Sequence, residues 1–109
     1  MGEDIRLKSA AGEIGAYLAT PKGSPKGGVV VIQEIFGVNA HMRRVAGGFA
    51  ADGYRAIAPA IFDRAERGVE IGYSKPEMER GVELRKRIPI DAMLRDMLLS
   101  VLNAEGPAG

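Results

Sequence analysis

Gly27-Gly28-Val29-Val30-Val31-Ile32-Gln33-Glu34 restricts the fold of this chain more than any other stretch. A glycine pair opens it, and four β-branched apolar residues follow without a polar interruption. Such a run predicts a strand buried on both faces, as in the sheet of an α/β protein. Gln33 and Glu34 then fall at the strand's C-terminal end, where open α/β sheets place their ligand crevices. Gly37 and Asn39 turn the chain, and Asn39 is suited to N-cap a helix that begins beside it. A carboxylate buried at a strand end is costly unless it is paired, so Glu34 either has backbone amides or an arginine to hold it or has chemistry to do.

The flanking segments complete a βαβ unit. Met42, Val45, Ala46, Phe49 and Ala50 recur at i, i+3, i+4, i+7 and i+8, one apolar stripe of a helix, with Gly53 at the C′ position. Gly47-Gly48 inside that helix costs about 1 kcal/mol per glycine against alanine, and close approach of helix to sheet would compensate. Tyr54-Arg55-Ala56-Ile57-Ala58-Pro59 reads as the next strand, and strand–helix–strand crossovers are right-handed as a rule. Upstream, residues 4–19 read as an edge hairpin that turns at Ala11-Gly12. Pro21 to Lys26 forms a polar loop between hairpin and central strand.

Downstream, residues 60–73 show no period and predict either a functional or a bland loop. Ser74-Lys75-Pro76-Glu77 is a capping box with proline in the first turn, followed by a thin stripe of Met78, Val82 and Ile88. Glu83 and Arg87 at i,i+4 belong to a solvated face. Pro89 breaks the pattern and restarts it. Met93, Leu94, Met97, Leu98, Val101 and Leu102 then give the strongest helical periodicity in the chain, expected to be core, with Glu105-Gly106-Pro107 ending the helix.

At 109 residues the chain is at most one domain, 1–109. Its 46% hydrophobic and 27% charged content is that of a globular protein. A net charge of +1 gives no electrostatic case for nucleic acid. No apolar run reaches the roughly 18 residues of a membrane span, and the start has no basic leader, so a cytoplasmic location is expected. Zero cysteines excludes disulfides, thiolate metal sites and a catalytic thiol within these residues. No metal or other cofactor is expected. One histidine, His41, and no cysteine do not make up a zinc ligand set, and His41 reads as a surface residue at a helix start.

Gln33-Glu34-Ile35-Phe36-Gly37-Val38-Asn39, with the order strand, helix, Gly-Tyr, strand, Ala-Pro around it, resembles the signature segment of the dienelactone hydrolase family of α/β-hydrolases. The resemblance covers nearly the whole chain and corresponds to the N-terminal half of the family. It implies a partial α/β-hydrolase fold: N-terminal hairpin, βαβ unit and two further helices, ending before the nucleophile-elbow strand. In the family that strand leads into Gly-x-Cys-x-Gly or Gly-x-Ser-x-Gly. Its absence would leave a flat apolar sheet edge, open to self-association or to a complementary C-terminal half.

The resemblance also implies roles. Glu34 would lie near the nucleophile and help set its protonation state, in keeping with the need for an adjacent base. The Ile35 backbone N–H would supply one donor of the oxyanion hole. Arg80 lies where the family places an arginine for a substrate carboxylate, although a solvated helix arginine is the better reading of it. The sequence departs from the family at Leu84, where a tyrosine is frequent, and at Ala60, where an aspartate is usual. The expected activity is ester or lactone hydrolysis through an acyl-enzyme, with a small ester or lactone as substrate. The chain alone is expected to be inactive, because none of its four serines sits in a nucleophile elbow. Gly72-Tyr73-Ser74-Lys75-Pro76 has proline where the second glycine is needed, and Ser74 is better explained as a cap. No glycine-rich phosphate loop follows a predicted strand, so a dinucleotide site is a weak alternative. Two other readings remain open: a non-catalytic association module, and an incomplete product with no function of its own.

Overall fold

A computed structural model describes residues 2–9 and 12–104. Strand β1 (Gly2–Ser9) pairs antiparallel with β2 (Gly12–Ala19), so the expected hairpin is present and slightly longer than its sequence signal. The turn expected at Ala11-Gly12 lies partly outside the described residues. Strand β3 (Gly28–Val30) runs parallel to β4 (Arg55–Pro59), and helix α1 (Ala40–Ala51) connects them. The sheet order is β1-β2-β4-β3, with β2 antiparallel to β4.

Period-two burial assigns the faces. Ala56 and Ala58 of β4 join Ala19, Val31, Met42, Ala46 and Ala50 beneath α1. Ile57 points the other way, into a cluster with Leu7, Ile14, Leu18 and Ala104. This alternation is what a strand covered on both faces requires. The expectation that the valine run is likewise buried on both faces needs correction. Val29 and Val30 are only partly buried and Ile32 is 43% exposed, because β3 is an edge strand. Ladder bonding ends with the Val31 N–H on the Ile57 carbonyl, at 2.8 Å.

Asn39 N-caps α1, its Oδ1 accepting from the Met42 N–H at 3.1 Å. Gly53 adopts φ +100° just past the helix, the left-handed conformation that suits glycine at C′. Gly47 and Gly48 are exposed, and a Cβ on either would meet open space. They do not mediate the close approach expected of them; Ala46 and Ala50 do, by lying buried against the sheet. Phe49, counted in the apolar stripe, is 38% exposed and rests edge-on against Tyr54.

The 60–73 segment is pinned. A short 3-10 turn, η1 (Ile61–Arg64), follows β4. The Asp63 carboxylate accepts from the Gly15 N–H at 2.7 Å and the Gly68 N–H at 3.1 Å, joining loop to hairpin. Helix α2 (Lys75–Lys86) begins where the capping box predicts. Ser74 Oγ accepts from the Glu77 N–H at 3.4 Å. The Glu77 carboxylate in turn accepts from Ser74 Oγ at 2.7 Å and from the Gly72 N–H at 2.6 Å. Its stripe differs from expectation, for Met78 and Val82 are exposed, whereas Gly81, Leu84 and Ile88 are buried. A helix seated against a loop buries the residues that fit it, and glycine permits the closest approach.

Helix α3 (Ile90–Ala104) departs furthest from its sequence pattern. Leu94, Leu98, Val101 and Leu102 are exposed, while Asp96, Ser100 and Ala104 are buried. Asp96 is held by a bidentate pair with Arg64 of η1, at 2.9 and 2.6 Å. Ser100 Oγ donates to the Asp96 carbonyl at 2.7 Å. These bonds satisfy the polar groups that face the sheet, and small side chains let the helix lie close to it. The helix ending expected at Glu105-Gly106-Pro107 lies outside the described residues.

Candidate active site

The chain leaves β3 into a tight loop at the C-terminal end of the parallel strands. The Gly37 N–H closes the loop on the Glu34 carbonyl at 3.3 Å. Gly37 has φ +82°, and a Cβ there would stand 1.9 Å from the Val69 carbonyl oxygen. Only glycine fits at that point. The Ile71 N–H bonds the Phe36 carbonyl at 3.0 Å, so residues 34–37 are fastened to the 69–71 segment.

Gln33 fastens the other side. Its Oε1 accepts from the Phe62 N–H at 3.3 Å, and its Nε2 donates to the Glu34 carbonyl at 3.0 Å. The Glu34 carbonyl therefore has two donors, Gln33 Nε2 and the Gly37 N–H. All described peptide bonds are trans, so the Ile35 N–H points opposite to that carbonyl. It donates to no acceptor among the described residues. The Glu34 side chain is also without an ion pair or hydrogen bond among them, and it is exposed. A buried, paired carboxylate, one of the two sequence readings of Glu34, is not what the structure holds.

Both residues line a cleft of about 530 Å³. Ile32 and Phe36 contribute from the loop, Ile61 and Phe62 from η1, and Met93 and Met97 from α3. The polar groups are Gln33, Glu34 and Arg85. An apolar cleft with few convergent polar groups is the usual form of a small-molecule site. Arg85, in the last turn of α2, forms no ion pair among the described residues. Arg80 is placed elsewhere: it is ion-paired with Glu66 and does not line the cleft. The sequence supplied the position of Glu34 and Ile35 and missed Arg85, whose only signal was its place in a helix read as a solvated face. Gln33 was legible as a strand-end residue but not as the side chain that orients the loop.

Other groups fall where they were expected or play structural parts. His41 is an exposed residue near the start of α1. Ser74 is the α2 cap and Ser100 is buried on its own helix. Among the described residues there is no cluster of three or more potential metal-ligating side chains, and no helix is long and apolar enough to cross a membrane. The Glu70 carboxylate, by hydrogen bonding, and its charge hold the Arg43 guanidinium above its ordinary pKa. That pair lies outside the cleft, at the sheet face near Tyr17.

A parallel βαβ unit flanked by an antiparallel hairpin, with an open backbone donor in the loop after the first parallel strand, defines an α/β-hydrolase-like half-sheet. A family profile described as "Dienelactone hydrolase family" matches residues 14–105. A Synechocystis sp. protein named as a candidate carboxymethylenebutenolidase is 42% identical over 94 residues, covering 85% of this chain and 38% of that protein. The Pseudomonas putida carboxymethylenebutenolidase is 30% identical over 97 residues, or 87% of this chain and 41% of the enzyme. A Klebsiella pneumoniae crystal structure, described as a candidate dienelactone hydrolase, superposes with a TM-score of 0.79 at 29% identity. That match covers 99% of this chain and 46% of the other. The chain belongs to the dienelactone hydrolase family, and it spans less than half the length of these relatives.

Proposed function

We propose that this chain carries part of the active site of a dienelactone hydrolase-type enzyme that cleaves an ester or lactone through an acyl-enzyme. One observation carries the reading: the Glu34 carboxylate and the Ile35 N–H, neighbours in sequence, both lie at one apolar cleft without a partner among the described residues. A thiol or hydroxyl attacks a carbonyl efficiently only when a base takes its proton, and a free carboxylate beside the cleft serves that purpose. The attack moves negative charge onto the carbonyl oxygen, and a fixed N–H held ready lowers the energy of that state without reorganising. The seven apolar-cleft side chains would enclose the acyl portion of a small substrate.

Neither group is a nucleophile. The 109 residues contain no cysteine, and the described serines lie away from the cleft. The nucleophile, the remaining triad members and the second oxyanion donor would come from a part of the domain that this chain does not contain. The chain alone is therefore inactive under this reading. Arg85 is the cleft's cation and would hold a substrate carboxylate; Arg80 would do so only after release from Glu66. A chimera joining residues 1–104 to the unmatched remainder of the Pseudomonas putida enzyme tests the assignment. It should hydrolyse 4-nitrophenyl acetate, and Glu34→Gln should lower kcat by about 100-fold or more, the usual scale of a lost proton-transfer group. An active chimera indifferent to Glu34→Gln would refute the role of Glu34.

A second reading has its own observation, the unpaired outer edge of β3. Such an edge is a template for another strand. A non-catalytic half-domain would use it to bind a copy of itself or a complementary chain. Native mass by light scattering, with intact mass spectrometry of every chain present, separates a homo-oligomer from a complemented hydrolase.

A further inference from the structure

Where β4 ends, a side chain takes over its ladder with β2. Ala16 pairs with Pro59, so Gly15 and Ala60 are the next antiparallel partners. A hydrogen-bonded pair of this kind exchanges two bonds, N–H to carbonyl in each direction. Only one of them forms, from the Ala60 N–H to the Gly15 carbonyl at 2.8 Å. The Ala60 carbonyl accepts instead from the Asp63 N–H at 3.0 Å, as the chain turns into η1. The Gly15 N–H, which has lost its strand partner, donates to Asp63 Oδ2 at 2.7 Å. The other carboxylate oxygen accepts from the Gly68 N–H at 3.1 Å. The Asp63 side chain is 6% exposed, with the Arg67 guanidinium 3.9 Å away. Arg67 itself donates to the Glu13 carbonyl at 2.8 Å, two residues further along β2. A carboxylate is buried in this way only where such donors hold it. These groups all belong to the hairpin and to the segment after β4, and β2 lies on the side of β4 away from β3.

We propose that Asp63 is a positioning residue for the candidate oxyanion donor, acting through Phe62 and Gln33. The inference rests on the role proposed above for the Ile35 N–H. A 3-10 turn has poor hydrogen-bond geometry and little hold of its own. Asp63 fastens η1 to β2 on one side. On the other, the Phe62 N–H, one residue away, donates to Gln33 Oε1 at 3.3 Å. Gln33 Nε2 then donates to the Glu34 carbonyl at 3.0 Å, which fixes the plane of the 34–35 peptide. The Phe62 N–H orients Gln33 only while η1 is itself held, and Asp63 supplies the fixed point. The same turn brings Ile61 and Phe62 to the cleft, which Asp63 does not line. The direction of the Ile35 N–H matters most when charge develops on the carbonyl oxygen. Asp63 therefore serves the transition state without touching the substrate.

The test is a nitrogen-15 correlation spectrum of the 109-residue chain, wild type against Asp63→Ala and Asp63→Asn. Alanine removes both acceptors, whereas asparagine keeps the shape with one acceptor oxygen for two N–H donors. In both variants the Gly15 and Gly68 amides should move, as any role of Asp63 requires. The side-chain NH2 pair of Gln33 should also move to the position of a free glutamine and exchange with water about tenfold faster or more. The Ile35 amide should shift or broaden with it. The Met42 amide, held by Asn39 at the start of α1, should stay in place. If Asp63→Ala unfolds, Asp63→Asn alone decides. Spectra in which Gly15 and Gly68 move while Gln33 and Ile35 do not overturn the proposal, because Asp63 is then a structural latch and nothing more. So does loss of dispersion in both variants, for Asp63 would then hold the fold rather than the site. Hydrolysis is not read in this experiment, so a failure of the Glu34 assignment shows separately, in the chimera.

Discussion

Gly81 of α2 lies directly against the backbone of Ile35: a Cβ added at Gly81 would stand 2.1 Å from the Ile35 carbonyl oxygen and 3.0 Å from its carbonyl carbon. The helix thus backs onto the loop that carries the candidate oxyanion donor. Backbone meets backbone there, so no flexible side chain can give way. Gly81→Ala should shift α2 or the loop and destabilise the fold by about 1–3 kcal/mol, the usual range for overpacking. Chemical denaturation of the two proteins, compared at equal slope, measures the loss.

The Arg64–Asp96 pair is the second anchor of the cleft, since it ties η1 to α3, the two elements that supply Ile61, Phe62, Met93 and Met97. Its hydrogen bond to Asp96 holds Arg64 above the ordinary arginine pKa, despite burial acting in the other direction. Asp96 is 1% exposed. Asp96→Ala removes both bonds by which Arg64 holds α3 and should cost about 1–3 kcal/mol. Replacing both residues with apolar ones should cost less than Asp96→Ala alone. Unfolding free energies of the single and double variants decide this.

Gln33→Leu should expose the difference between fold and site. The variant strands the Phe62 N–H and removes one of the two donors to the Glu34 carbonyl, at a cost of about 1–3 kcal/mol. Its larger effect should be on the 34–35 peptide, which loses part of what fixes its plane. The amide resonance of Ile35 should move or broaden in a nitrogen-15 correlation spectrum, while resonances of β1 and β2 stay in place.

The α2 cap predicts a pH dependence. Hydrogen bonds from Ser74, then from the Gly72 N–H, lower the Glu77 pKa from its ordinary value. A carboxylate lowered in the folded state contributes stability above its unfolded pKa of about 4.3, and loses it as pH falls through the lower folded value. Wild type should therefore melt above Glu77→Gln near neutral pH. The two melting curves should converge below pH 4.

Much of the fold was legible. The βαβ unit followed from one valine run, one apolar stripe and one terminal proline, each with a single physical meaning. Asn39, Gly53 and Ser74 marked helix ends because their side chains or their lack of one satisfy specific backbone demands. Burial on α3 was misread for an identifiable reason: helical periodicity shows that a helix has an apolar face, not which neighbour that face meets. The inward row is small and polar because Asp96 has Arg64 as a partner 32 residues away, and no local pattern reveals that pairing. Arg85 was missed in the same way, since its meaning comes from Glu34, Met93 and Met97 around the cleft rather than from its own helix.

Hydrolysis of 4-nitrophenyl acetate by the pure 109-residue chain tests the central claim most directly. The claim is that Glu34 and the Ile35 N–H are site components that need a nucleophile from outside these residues. The predicted result is a rate indistinguishable from buffer at every chain concentration. A rate proportional to chain concentration and abolished by Glu34→Gln would contradict it, for the chain would then hold a complete active site of its own.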